Sequence, residues 1–152
     1  MRIVIAAVGR LRRGPVQELI QTYAARMLWA LEWREVQERR ASPPGGLKAA
    51  EASLLLQALP ESGPMIALDE RGDDLSSHAF AEQLSIWRDA GEATCGFAIG
   101  GADGLDARVR ERATRVVRFG RQTWPHMLVR VMLAEQIYRA QQILAGHPYH
   151  RD

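Results

Sequence analysis

Thr123-Trp124-Pro125-His126-Met127-Leu128-Val129-Arg130-Val131-Met132-Leu133-Ala134-Glu135-Gln136-Ile137-Tyr138-Arg139-Ala140-Gln141-Gln142-Ile143-Leu144-Ala145-Gly146-His147-Pro148-Tyr149-His150-Arg151 is the stretch on which the fold turns. Pro125 suits the first position of a helix. Leu133, Ile137, Ala140 and Leu144 then form one apolar stripe, and Met127, Val131, Ala134 and Tyr138 a second. A surface helix needs one stripe. Two predict burial on two sides, by a sheet and by a partner subunit, with a purely monomeric core helix as the alternative. Glu135 and Arg139 have the favourable i, i+4 order for an ion pair. The polar tail after Gly146 carries a tyrosine, two histidines and an arginine, which marks this segment as the active-site end. No cysteine lies nearby and no H-x₃-H or H-E-x-x-H spacing occurs, so no metal site is predicted.

Working outward, short apolar runs alternate with helical patterns. Arg2 to Val8, Leu31 to Val36, Met65 to Leu68, Ala93 to Ile99 and Val116 to Phe119 read as strands. Between them lie a helix with Val16, Leu19, Ile20, Tyr23 and Met27 on one face, started by Pro15, and an Ala/Leu-rich helix over Ala49 to Leu59. A third, capped by Ser76 or Ser77 and stopped by Gly91, holds Phe80, Leu84 and Trp87; a short polar one covers Leu105 to Arg112. Ser42-Pro43-Pro44-Gly45-Gly46 is a loop signal, and Asp69-Glu70-Arg71-Gly72 reads as a turn. The order predicts an α/β domain, a mostly parallel sheet with helices on both faces, spanning residues 1–152. Ligands of such sheets sit beyond the carboxyl ends of the strands.

The net charge of +2 is unevenly spread. Residues 1–60 carry nine basic and five acidic groups, residues 61–106 two and ten, and residues 107–152 nine and three, giving segment charges of +4, −8 and +6. Nineteen of the 20 basic residues are arginine, whose planar fork suits phosphates and bases. The basic loop Arg10 to Arg13 and the run Arg108 to Arg121 are candidate phosphate contacts. The lone Cys95 reads as a buried hydrophobe and excludes an intrachain disulfide. No run approaches a membrane span, and Met1 to Val8 is too short for a signal peptide. A cytoplasmic protein is expected.

Gly100-Gly101-Ala102-Asp103-Gly104 follows a buried strand, where paired glycines let a flat ligand approach the backbone. It is neither the dinucleotide G-x-G-x-x-G nor a P-loop, which the single Lys48 excludes. The irregular loop Phe119-Gly120-Arg121-Gln122-Thr123-Trp124 could read an adenine edge through backbone groups, with Trp124 as core filler the plainer alternative.

The pattern Thr123-Trp124-Pro125-His126, Arg130-Val131, Leu133, Glu135-Gln136, Tyr138-Arg139-Ala140, Ile143, Gly146 and Pro148-Tyr149-His150-Arg151 resembles the RlmH family of bacterial SPOUT-class methyltransferases. The likeness extends to Ala7-Val8-Gly9, Leu68-Asp69 and Ile99-Gly100-Gly101-x-x-Gly104-Leu105. Members of that family use S-adenosylmethionine to methylate N3 of pseudouridine 1915 in 23S ribosomal RNA of the large subunit. The resemblance implies a C-terminal trefoil knot around the cofactor and a homodimer with a site shared between subunits. It places Leu68, Gly100, Phe119, Gly120, Arg121, Gln122, Thr123 and Trp124 at the cofactor. His126, Arg130, Tyr149, His150 and Arg151 fall on the substrate side. Gly120 departs from the serine usual in the family.

Methyl transfer to an imide nitrogen requires in-line positioning and loss of the N3 proton. Arg151 or Arg130 would offset the developing negative charge, and His150, His126 or water would accept the proton. Tyr149 and Trp124 are candidates to stack on a splayed nucleotide. A SPOUT enzyme acting on another RNA, or a silent RNA-binding assembly factor, are the competing readings.

Overall fold

The computed structural model describes residues 1–39 and 46–151. The Ser42–Gly45 part of the expected loop lies outside the described residues. Ten elements alternate without exception: β1 Arg2–Val8, α1 Pro15–Ala24, β2 Ala30–Val36, α2 Gly46–Ala58, β3 Met65–Asp74, α3 Ser77–Asp89, β4 Thr94–Ile99, α4 Ala107–Arg112, β5 Arg115–Arg118 and α5 His126–Leu144. The strands form one sheet in the order β2-β1-β4-β3-β5. All its pairings are parallel, so every strand delivers its carboxyl end, and the loop that follows, to the same edge.

Side chains alternate across a strand, and the two faces are filled differently. Ile3, Ile5, Ala7, Ile66, Phe97 and Ile99 meet Phe80 and Leu84 of α3 and Leu133 and Ile137 of α5. Ala6, Val8, Ala67 and Ala98 point the other way, onto Ala52 and Leu55 of α2 and Leu105 and Val109 of α4. Alanines on this second face let α2 and α4 approach the sheet closely. The Ser76 hydroxyl accepts from the Ala79 amide and starts α3, Asp106 does the same for α4 through Arg108, and Gly91 ends α3 at φ +85°. Cys95 is fully buried, and burial pushes its thiol pKa far up.

Three expectations need correction. Pro125 caps α5 rather than opening its first turn. The expected turn at Asp69–Gly72 is a bulge inside a longer strand: both Leu68 and Asp73 pair with Val117, with a register shift between them. Gly72 lies flat on β5, where a Cβ would come within 2.6 Å of the Val117 backbone, and a two-pronged Arg118–Asp74 pair fixes the far end of the strand. Finally, the Ala134 and Tyr138 part of the second stripe of α5 is covered within the chain, while Met127 and Val131 stay half-buried. Tyr138 is buried with its ring 5.9 Å from that of Tyr23 on α1, and Gln141 accepts from the Leu28 and Trp29 amides just beyond α1. The Glu135–Arg139 pair forms as expected. No described helix is long and apolar enough to cross a membrane.

Candidate functional site

A cavity of about 310 Å³ opens at the carboxyl ends of β3, β4 and β5. That is near the lower bound for small-molecule sites. Its walls are the residues after Leu68, the Gly100–Leu105 turn, and the loop from Phe119 to the start of α5. Of the residues expected at the cofactor, Leu68, Gly100, Phe119, Gly120, Gln122, Thr123 and Trp124 line it. Arg121 does not; its side chain is exposed beside the rim.

Each wall has a local cause. The Gly100 turn folds back on itself: a Cβ there would lie 2.8 Å from the Gly104 carbonyl carbon, and one on Gly101 would lie 3.0 Å from Val8. Both positions therefore need glycine for the packing of the turn itself, and both line the cavity. Gly104 takes φ +73° to close the turn. In the other loop the Trp124 indole donates to the Phe119 carbonyl at 2.8 Å, pinching both ends together and leaving the ring at the rim rather than in the core. Gly120 sits at φ +82°, a region costly for any residue with a Cβ.

The cavity also holds charges that local sequence reading did not pick out: Lys48, Asp69, Arg71 and Asp103. Asp69 is nearly buried, pairs with Arg110 and accepts from the Arg71 amide. Its sequence signals are an acid at the carboxyl end of a strand and its place in the Leu68-Asp69 likeness. Glu51, next to Gly101, has its pKa raised by burial and then by Asp103.

The expected substrate-side residues divide into three groups. His126 opens α5 and lines the cavity. Its pKa is lowered, first by burial and then by the Arg130 charge, against a hydrogen bond to the Val8 backbone; the net lowering favours the uncharged imidazole. Its Nδ1 is buried with no partner among the described residues.

Arg130 is fully buried. It donates to Glu35 at 2.8 Å, to the Val8 carbonyl at 2.8 Å and to the Gly9 carbonyl at 2.6 Å. The guanidinium clamps α5 to the ends of β1 and β2, in place of the substrate contact expected of it.

Tyr149, His150 and Arg151 are elsewhere. The Tyr149 hydroxyl donates to Glu135 at 3.1 Å, and its ring meets Tyr138 edge-on at 4.9 Å. Burial, then Glu135, pushes its pKa up to about 12. His150 lies 3.0 Å from the Arg139 guanidinium and edge-on to His78 at 4.7 Å. At 1.5 Å rise per residue, Glu135 and Arg139 stand roughly 14 and 20 Å along α5 from His126. The helix runs from the cavity edge toward the opposite edge of the sheet, so within one chain the tail and the cavity are apart. Among the described residues no group of three or more His, Cys, Asp or Glu side chains is placed to hold a metal ion.

A family profile described as "Predicted SPOUT methyltransferase" matches residues 1–150. The Rhodospirillum centenum protein named ribosomal RNA large subunit methyltransferase H is 56% identical over 151 residues, covering 99% of both chains. Its namesake in Paramagnetospirillum magneticum is 52% identical over 151 residues, with 99% of both covered. Among solved structures, a probable methyltransferase from Bordetella pertussis superposes with a TM-score of 0.61 at 16% identity, over 91% of this chain and 95% of that one. A Legionella pneumophila structure described as "in complex with the bound cofactor SAM" gives 0.50 at 11% identity, over 92% and 66%.

Proposed function

The chain belongs to the SPOUT methyltransferase family, and from that premise we propose that it methylates N3 of pseudouridine 1915 in 23S ribosomal RNA, with S-adenosylmethionine as donor. The observation that carries the reading is the coincidence of the motif loops with the cavity: seven of the eight residues expected at the cofactor line it. Full-length relatives named as large-subunit ribosomal RNA methyltransferases support the substrate. The chain then acts as one SPOUT domain over residues 1–152. The trefoil knot of the family belongs to the same proposal.

The residues suit the donor. Charges of both signs line the cavity, matching a ligand with a carboxylate, an ammonium and a sulfonium. The Gly120–Trp124 loop offers backbone donors and acceptors between the Phe119 and Trp124 rings. When bound, S-adenosylmethionine supplies an electrophilic methyl on a sulfonium that leaves as a neutral thioether. The protein's tasks are to hold the reacting atoms in line and to manage the imide proton. His126, on the cavity wall, is placed to orient or accept that proton. Arg130 fixes the base of α5 beneath it, a positioning role. Tyr149 stays protonated and donates.

Because Tyr149, His150 and Arg151 stand far from the cavity of their own chain, the substrate side is completed by the tail of a second copy in a homodimer. Exposed Leu19 on α1, Leu28 beyond it, and Leu128 on α5 provide apolar surface for such a contact. Transfer of labelled methyl from S-adenosylmethionine to large subunits lacking the modification, followed by mapping of the modified nucleotide, tests the reading. Label at N3 of that pseudouridine is expected; label on another RNA, or none, overturns it.

A further inference from the structure

The sequence offered two arginine-rich segments as phosphate contacts, and the structure separates them. In the second segment, Arg108 to Arg121, every arginine up to Arg118 is engaged within the chain, and Arg121 is exposed at its end. Arg108 donates to Asp106 and the Ala49 carbonyl, and Arg110 to Asp69 and Leu105. Arg112 caps the Pro60–Glu61 carbonyls, Arg115 holds Gln83, and Arg118 holds Asp74. These side chains hold helices and strands together, and moving them onto RNA would cost those contacts, the part-buried ones of Arg110 and Arg115 above all.

Arg10, Arg12 and Arg13 are the opposite case. All three are exposed, and their side chains make no hydrogen bond or ion pair among the described residues. Their backbone, by contrast, is tied down. Gly9, at φ +87°, donates its amide to the Val36 carbonyl at 2.8 Å. Leu11, in the middle, donates its amide to Glu35 Oε1 at 2.7 Å. Pro15 closes the loop as the first residue of α1. The same Glu35 oxygen takes the Arg130 guanidinium. The loop also abuts the cavity wall, since a Cβ on Gly9 would touch His126 Cε1 at 3.4 Å.

We infer that the Arg10–Arg13 loop is a preorganised clamp for the phosphates flanking the target nucleotide, held beside the cavity by the Glu35–Arg130 pair. The inference rests on the proposed RNA substrate. Three free guanidinium groups on a fixed backbone lose little entropy on binding, and each phosphate neutralised adds to the salt dependence of affinity. Glu35 is then a positioning residue: it contacts the loop and α5, not the RNA.

The test compares the full-length protein with an Arg10→Ala/Arg12→Ala/Arg13→Ala variant and with an Arg2→Ala/Arg88→Ala control at the far edge of the sheet. Filter retention of unmodified large subunits is measured at several salt concentrations, alongside methyl transfer and cofactor calorimetry. With about 0.7–0.9 in log–log slope per phosphate, the triple variant should lose about 2–3 units of slope. Between 50 and 200 mM salt its affinity should therefore fall roughly 20–40-fold less than the native protein's. Its KM for subunits should rise, while cofactor affinity and kcat stay near native. A native slope and KM in the triple variant would overturn the clamp. Glu35→Ala gives a second, independent reading. Removing an acid from a basic surface should tighten RNA binding by electrostatics alone, whereas loss of the anchor weakens it and Glu35→Gln restores it; tighter binding by Glu35→Ala overturns the anchor. Failure of the native protein to methylate would refute the proposed reaction, and the binding slopes would still decide the clamp.

Discussion

Replacing Arg130 with methionine separates a clamp from a catalyst. The native guanidinium is fully buried and donates to one carboxylate and two backbone carbonyls. Removing one partner of a buried ion pair costs about 3–5 kcal/mol. Two features pull the value to the lower end. Glu35 is 31% exposed and regains hydration, and Arg130 Nε, buried with no partner among the described residues, ceases to be a burden. A loss of about 3 kcal/mol is therefore expected. With a urea m-value of about 2 kcal/mol per molar, the midpoint should drop by roughly 1.5 M. The variant and native protein are compared at equal protein concentration, because assembly shifts the midpoint. Methyl transfer well below the unfolding transition should be reduced but not abolished. A native urea midpoint together with abolished methyl transfer would refute this, and would return Arg130 to direct contact with substrate.

Three further substitutions or titrations follow from the geometry. His126 has a folded pKa below the ordinary 6.5, so the unfolded chain binds more protons between the two values. Its contribution to stability is present above about pH 6.5 and is lost as pH falls through that window. Proton-detected titration of its ring should show the low value, and His126→Gln should flatten the pH dependence of stability there; a ring titrating at or above 6.5 contradicts it. Gly72→Ala places a methyl 2.6 Å from the β5 backbone, an overpacking of about 2 kcal/mol. Its thermal midpoint should fall by roughly 4–8 °C, and an unchanged midpoint would show that the bulge is loose. Gly120→Ser restores the residue usual in the resembling family but forces a Cβ onto φ +82°, at a cost of about 1–2 kcal/mol; calorimetry should show no gain in cofactor affinity, and tighter binding would mean the loop has another backbone conformation.

The order of elements was legible because each strand is a short apolar run bounded by glycine, proline or a helix cap, and the helix starts at Pro15 and Ser76 are local chemistry. The cavity loops were legible through the motif alone: nothing in the spacing of Gly100 or Phe119 says that they face one another, since β3 lies between their strands. The strand beyond Leu68 reads as a turn in the sequence. Its pairing is with β5, some fifty residues away, and the local signal of Asp-Glu-Arg-Gly is that of a reverse turn. Glu35 went unnoticed for the same kind of reason. It is an ordinary acid in a half-buried strand, and its partners Leu11 and Arg130 lie 24 and 95 residues off. The charge imbalance was visible in composition, but which arginines are bound within the chain depends on carbonyls and carboxylates that only folding brings near. The second stripe of α5 reads as buried, which holds for Ala134 and Tyr138, but their cover, α1, cannot be told from a partner in the sequence.

A cavity in one subunit completed by the tail of another is tested most directly by complementation. Gly100→Val, which forces side-chain atoms into the Gly104 backbone, disables the cavity and keeps the tail. Truncation after His147 keeps the cavity and removes Tyr149, His150 and Arg151. Each alone should be inactive on large subunits. Mixed in equal amounts and allowed to exchange subunits, half the dimers become heterodimers with one intact shared site, and methyl transfer should return to about a quarter of native. No recovery in a mixture shown to contain heterodimers would contradict the shared site and place the reacting groups within one chain.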